Sequence, residues 1–205
     1  CRVWAWAASE VGDAENVSFG NDIESFLSWC RAVEGSRMYF HNLKFDGKFL
    51  LHHLLSSGWT WVAGKDDARH KTFTTLISDM GQFYSIKLYF TPVAAVEFLD
   101  SLKVIPLPVA SIPKAFGLTI EKLEIDYLEA REPGHVLTDE ERAYVANDVK
   151  IVSLALQEMY ERDMKRITAG SNAFHHYVRS IGGKKRFRDW YPEPDYDLDL
   201  RKGGC

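Results

Sequence analysis

The stretch Tyr39-Phe40-His41-Asn42-Leu43-Lys44-Phe45-Asp46-Gly47-Lys48-Phe49-Leu50 changes character halfway along. Met38, Tyr39 and Phe40 make a short apolar run after Gly35 and Ser36, which predicts a strand. Phe45, Phe49, Leu50 and Leu54 then recur at helical spacing. Asn42 and Asp46 fall at the corner between the two. In α/β proteins the carboxyl ends of strands are where sites are built. A carboxylate at such a corner, with an amide, a histidine, two lysines and two aromatics around it, suits metal-assisted phosphate chemistry on a nucleic acid. The same Asp46 also reads as a helix cap, a position that Asp favours. The stretch alone leaves both readings open.

Upstream, residues 1–8 alternate aromatic and small side chains and read as a strand. Gly12-Asp13 turns it into a second strand around Val17 and Phe19. Asn21 or Asp22 then caps an amphipathic helix whose buried stripe is Ile23, Phe26, Leu27 and Cys30. Downstream, three further strands are expected at 72–79, 83–90 and 93–100. The rigid connector Ile105-Pro106-Leu107-Pro108 leads to a short helix stopped by Gly117. Thr138 and Glu141 form a capping box that opens a long helix to about Arg166, and Ser171 is expected to cap another. The basic run Lys184-Lys185-Arg186-Phe187-Arg188 follows, then a Pro- and Asp-rich tail. The chain therefore reads as an α/β domain over residues 1–188 and a connector over 189–205.

Of the 205 residues, 46% are hydrophobic, enough for a sizeable core. The net charge of -4 gives no global basic field, so any nucleic-acid contact must come from local patches. Cys1, Cys30 and Cys205 are too far apart for a disulfide framework, which argues for a reducing, cytoplasmic setting. No apolar run reaches membrane-span length and no signal peptide is visible, so no membrane partner is expected. The chain starts on Cys and stops on Gly203-Gly204-Cys205 in mid-pattern, which leads to the expectation of a piece of a longer protein.

Three more groups could carry chemistry. Tyr144 and Asp148 are four apart on the long helix and so share a face. A phenol and a carboxylate converging there can orient a water and bind a metal. Asp100-Ser101-Leu102-Lys103 ends a strand, where Ser101 and Lys103 could contact a backbone phosphate. Lys122, with Tyr127 nearby, could neutralise a phosphate. Each also has a plain structural reading: a half-buried Tyr beside a surface acid, a polar strand end, a solvated lysine. Asp13-Ala14-Glu15 has the spacing of a metal site but falls at a hairpin turn. Asp195, Asp197 and Asp199 alternate in the tail with no framework to hold them. The adjacent pairs His52-His53 and His175-His176 cannot face one zinc from a helix.

Taken in order, Tyr39 to Asp46, Asp100-Ser101-Leu102-Lys103, Lys122 followed by Ile125-Asp126-Tyr127, Tyr144-Val145-Ala146-Asn147-Asp148 and Thr168-Ala169-Gly170-Ser171 resemble one family along nearly the whole chain. It is the proofreading domain of protein-primed family B DNA polymerases of the phi-twenty-nine-like phage type. The resemblance implies an RNase-H-like mixed sheet with flanking helices, and two-metal 3′–5′ hydrolysis of single-stranded DNA with Mg²⁺ or Mn²⁺. It implies that Asp46 and Asp148 bind metal, Tyr144 orients the nucleophilic water and Lys122 steadies the scissile phosphate. His41, Asn42, Phe45, Phe49, Ser101, Leu102 and Tyr127 would hold the primer end, and some of them the terminal protein that primes synthesis. Primer-template DNA is the implied wider partner.

Two departures from the family pattern stand out. Its first motif, Asp-x-Glu on a first strand, would lie before Cys1. Its Tyr-x-Gly-Gly linker appears as Arg201-Lys202-Gly203-Gly204, where the two glycines keep the implied DNA contact and Arg replaces the aromatic. The missing strand would run between the strand at 1–8 and the strand at 37–41. The expectation is a chain that is poorly folded, or one that closes the gap by pairing those strands directly. Two rival functions stay open: a non-catalytic module that grips single-stranded DNA or the terminal protein, and a stand-alone RNase-H-like nuclease.

Overall fold

The structure, a computed structural model, describes residues 3–126, 131 and 134–193. The expected hairpin is present as β1 (Trp6–Glu10) and β2 (Asp13–Gly20), paired antiparallel. It turns at Gly12, whose φ of +102° is open to glycine and strained for any other residue. Asp13 and Glu15 lie at the start of β2 rather than in the turn. Glu15 pairs with Lys150 at 2.5 Å. Of the two candidate caps, Asp22 is the one used: its Oδ1 accepts from the Ser25 N–H at 2.7 Å and opens α1 (Ile23–Ala32).

Next come β3 (Arg37–Phe40), α2 (Leu43–Ser56), β4 (Thr60–Trp61), β5 (Thr72–Ile77), β6 (Phe83–Tyr89) and β7 (Ala95–Asp100). The last three occupy the expected spans, trimmed by one or two residues. The sheet has the order β3-β7-β6-β5-β4; β3 is parallel to β7 and β4 to β5, and the remaining pairs are antiparallel. Alternation along β3 divides the core into two layers. Met38 and Phe40 join Leu43, Leu50, Leu54, Ile86 and Phe98 beneath α1 and α2. Tyr39 joins Ile105, Ile112, Ile151 and Leu156 beneath α3 (Ile112–Phe116) and α4 (Asp139–Glu161). Helices thus cover both faces of the sheet. Cys30 is fully buried beside the Met38 sulfur at 3.9 Å, and burial pushes its thiol up to about 12.

Two local features set the framework of the site. A Cβ added at Gly47 would come within 3.1 Å of Ile86 Cδ1, so α2 lies against β6 as closely as glycine allows. At the other end, the Thr138 and Glu141 capping box starts α4 as expected. Burial would push Glu141 up, but His135, the Thr138 backbone N–H and Arg131 hydrogen-bond its carboxylate and bring it down to about 2.

Some expectations are corrected. Helix α4 stops at Glu161, short of Arg166, because Asp163 takes a left-handed φ of +60°. The next helix is α5 (Ala169–Ser180), and its cap is Thr168, with Ser171 returning the bond from inside the first turn. The gap is not closed either. β1 pairs only with β2 and β3 only with β7 among the described residues. Each is paired along its other edge and packed against a helix, β1 against α4 and β3 against α2.

By its contacts the chain divides into two compact units, residues 1–167 and 168–205. The second holds α5 and α6 (Lys184–Trp190), so the basic run is helical. Phe174, Tyr177, Phe187 and Tyr191 pack ring against ring there, with Phe187 and Tyr191 5.0 Å apart, while Lys184, Lys185, Arg186 and Arg188 face solvent. No helix among the described residues is long and apolar enough to cross a membrane.

Candidate functional site

The corner between β3 and α2 is pinned by a carboxylate. Asn42 sits at the N-cap of α2 in a left-handed conformation, φ 79° and ψ 57°, and its side chain makes no capping bond. Its backbone N–H donates to Asp100 Oδ1 at 3.1 Å. The same oxygen accepts from the Leu102 N–H at 3.0 Å. Asp100, almost wholly buried at the end of β7, thus ties two strand ends together. Sequence reasoning singles out Ser101 and Lys103 and misses Asp100. The signal that could find it is an Asp leading straight from a strand into a turn, the pattern of an Asx cap.

Because Asn42 holds the cap position, Asp46 is not the cap. It lies one turn further in. Burial pushes its carboxyl up to about 6; a bond to its own backbone N–H opposes this and the Asp100 charge adds to it. Asp46 is thus a poorly solvated carboxylate with a second negative group close by, an arrangement that a cation would relieve.

On α4, Tyr144 and Asp148 do converge. The Lys122 ammonium donates to Asp148 Oδ1 at 2.8 Å, to Asp148 Oδ2 at 2.7 Å and to the Tyr144 hydroxyl at 3.1 Å. It also lies 4.7 Å from the Tyr144 ring centroid. Burial would lower Lys122, but the bonds to Asp148 and Tyr144 outweigh it and raise it above its usual range. Asp46, Tyr144 and Asp148 all line one cavity of about 940 Å³.

The other expected contacts separate into two sets. Phe45 is 62% exposed and meets Phe49 edge-on, with centroids 5.6 Å apart. Asn42, Lys44 and Lys48 are exposed around them, and Leu102 is half-buried in the turn after β7. His41 and Ser101 face inward instead. His41 bridges the Ser101 hydroxyl at 3.0 Å and the Leu107 carbonyl at 2.7 Å, and Ser101 is fully buried with its Oγ 3.1 Å from the Phe40 carbonyl. Ser101 therefore has no surface to offer a phosphate; with His41 it locks the end of β3 to the proline connector. Tyr127, Gly203 and Gly204 lie outside the described residues, as do Asp195, Asp197 and Asp199.

A two-ion centre asks for a richer donor set than this. Among the described residues no three carboxylates, histidines or cysteines gather in a way that could hold a metal ion. Both oxygens of Asp148 are engaged by Lys122. The residues present do not by themselves fit two ions.

A mixed sheet covered by helices on both faces, with a carboxylate past the end of one strand and a Tyr–Asp pair on the helix across the sheet, defines an RNase-H-like fold. The sequence model described as DNA polymerase type B, organellar and viral, matches residues 30–133. The DNA polymerase of Bacillus phage Nf is 36% identical over 203 residues, covering 97% of this chain and 35% of that protein. Phi29 DNA polymerase complexed with primer-template DNA superposes with a TM-score of 0.88 at 36% identity, over 98% of this chain and 36% of that one. Phi29 DNA polymerase complexed with single-stranded DNA gives 0.84 at 37% identity, over 92% and 33%. The chain belongs to the type B DNA polymerase family, organellar and viral. It spans about a third of the length of the curated relatives it matches.

Proposed function

We propose that this chain carries the 3′–5′ proofreading exonuclease region of a protein-primed DNA polymerase. In this reading it binds the single-stranded end of a primer-template and, within the intact polymerase, hydrolyses it. The terminal protein that primes synthesis is the further partner. The observation that carries the reading is the bonding of Lys122 to Tyr144 and Asp148, two residues that line the same cavity as Asp46. Lys122 supplies a positive charge where a scissile phosphate would sit. Tyr144, buried and fixed by that ammonium, is placed to orient a water. Phe45 and Phe49 offer rings for unpaired bases, which stack without being read for sequence.

Divalent-metal dependence is general in this family. The donor set here is short of what two ions require, so the roles of Asp46 and Asp148 as metal carboxylates depend on further carboxylates from outside the described residues. That same shortage favours the second reading, a module that grips single-stranded DNA without cutting it. Binding tests what the two share. A fluorescently labelled single strand titrated with residues 1–205 should bind more tightly than the matching blunt duplex. Lys122→Gln should weaken that binding; equal affinity for single strand and duplex would overturn both readings. The readings separate in the intact polymerase, where Asp148→Ala should abolish 3′–5′ digestion if the region is catalytic and leave it unchanged if it only binds.

A further inference from the structure

The segment that carries Lys122 has no regular structure of its own. Residues 118–126 form neither helix nor strand, so no ladder of backbone bonds fixes the Lys122 Cα. Ile120 packs into the layer beneath α3 and α4, and the Asp126 carbonyl accepts from Arg131 at 3.2 Å. Directly beside Lys122, the side-chain amide of Asn147 donates to the Glu121 carbonyl at 2.8 Å. A carbonyl only accepts, so the amide nitrogen is the end of Asn147 that faces it. That carbonyl belongs to the planar peptide unit that ends at the Lys122 Cα. The bond therefore sets the point from which the lysine side chain starts.

Asn147 shares its helix face with the two residues that grip the ammonium. Tyr144, Asn147 and Asp148 stand three and four apart on α4 and so lie side by side. Tyr144 and Asp148 hold the Lys122 ammonium, while Asn147 holds the backbone one residue away. The two grips differ in kind. A phosphate is an anion and competes with Asp148 for the ammonium. It has no such claim on a bond between two neutral groups, so the backbone grip outlasts the exchange. Lysine is a compact charge on a flexible stem. A fixed Cα limits the volume that its ammonium can sweep.

We propose that Asn147 is a positioning residue that acts through Lys122. It clamps the Glu121–Lys122 peptide to α4, so that the ammonium stays at the cavity when it passes from Asp148 to a backbone phosphate. The proposal rests on the reading of Lys122 as the phosphate contact. Asn147 itself touches neither the strand nor the reacting atoms. Its amide contributes by holding a long side chain near its target, which spares part of the freedom that binding would otherwise cost.

The test compares residues 1–205 as they stand with Asn147→Leu, Lys122→Gln and the double variant. Leucine keeps nearly the volume of asparagine and removes the donor; Asn147→Ala removes the same donor and should give the same results. Asn147 is only partly buried, and urea denaturation checks that each variant folds. The first readout is the rate at which an amine-reactive ester labels Lys122, followed by mass spectrometry. Asn147→Leu should raise it by roughly two- to tenfold, the range for losing one net hydrogen bond. Lys150, also on α4 and paired with Glu15, should label at its original rate. The second readout is affinity for a fluorescent single strand. Asn147→Leu should weaken it by a similar factor when Lys122 is present, and by less than about twofold in the Lys122→Gln background. A bond that only steadies the fold gives the same loss in both backgrounds. Unchanged labelling of Lys122, an equal rise at Lys150, or equal loss in both backgrounds would overturn the proposal. Failure of the DNA reading looks different: Lys122→Gln leaves affinity unchanged while Asn147→Leu still frees the ammonium to label. If Lys122→Gln weakens binding and Asn147→Leu moves neither readout, the DNA reading stands and Asn147 has no such role.

Discussion

Asp46 shows how a single side chain sets function against stability. Its folded pKa of about 6 lies above the ordinary 3.8, so the folded state prefers the protonated form. That preference favours folding fully below about pH 4 and is lost as pH rises through 6. At neutral pH the ionised group then costs up to about 3 kcal/mol, because a tenfold change in proton affinity is worth roughly 1.4 kcal/mol. Asp46→Asn removes the charge while keeping the shape. Urea denaturation should show the variant more stable by about 1–3 kcal/mol at pH 7.5 and no more stable at pH 4, the bound set by that cost. Equal stability at both pH values would mean that burial does not strain this carboxylate.

At the scale of elements, α2 carries the contact surface. Its buried residues Leu43, Gly47, Leu50 and Leu54 fix one face to the sheet, which leaves Phe45, Lys44 and Lys48 turned outward. Phe49→Ala should weaken single-stranded DNA binding by roughly 1–3 kcal/mol, the range for losing one base stack. Anisotropy with an oligonucleotide measures it, and an unchanged affinity would place the strand elsewhere. Helix α6 makes a different prediction. Its lysines are exposed, so Lys184→Gln with Lys185→Gln should flatten the slope of log affinity against log salt. A slope that does not move would mark them as solvated charges.

The elements also show why some of the structure is legible in the sequence and some is not. Local chemistry is readable: the apolar runs of β5, β6 and β7, the Thr138 capping box, and the four-residue spacing that brings Tyr144 and Asp148 onto one face. Cap choice is less so, because Thr168 and Ser171 both carry hydroxyls and only the backbone angles decide which one sits outside the helix. The end of α4 is hidden because one left-handed residue, Asp163, breaks a pattern that side chains alone would continue. The burial of Asp100 and Ser101 together is hidden for another reason. Both turn inward because β3 lies beside β7, and the residues they tie down, Asn42 and Phe40, are far away along the chain.

At the scale of the whole molecule, the site is a meeting of parts. Asp46 comes from the first turn of α2, while Tyr144 and Asp148 come from α4, the long helix on the other face of the sheet. All three line one cavity, and the described carboxylates are too few to hold two ions. Residues 1–205 alone should therefore show no measurable digestion of single-stranded DNA with Mg²⁺ or Mn²⁺ in a gel assay at micromolar protein. Robust metal-dependent digestion would mean that the donor set is complete after all.

Cys30 has a practical use. Its thiol is sealed under α1 and held in the unreactive form, so an alkylating reagent reaches it only when that helix lifts. Its labelling rate in native buffer is then a clock for that opening, and dividing by the rate of an unfolded chain gives the fraction of time the layer spends ajar. Mass spectrometry of the tryptic peptide reads the clock without any substitution, so the protein can be timed with its own sequence, empty or with DNA.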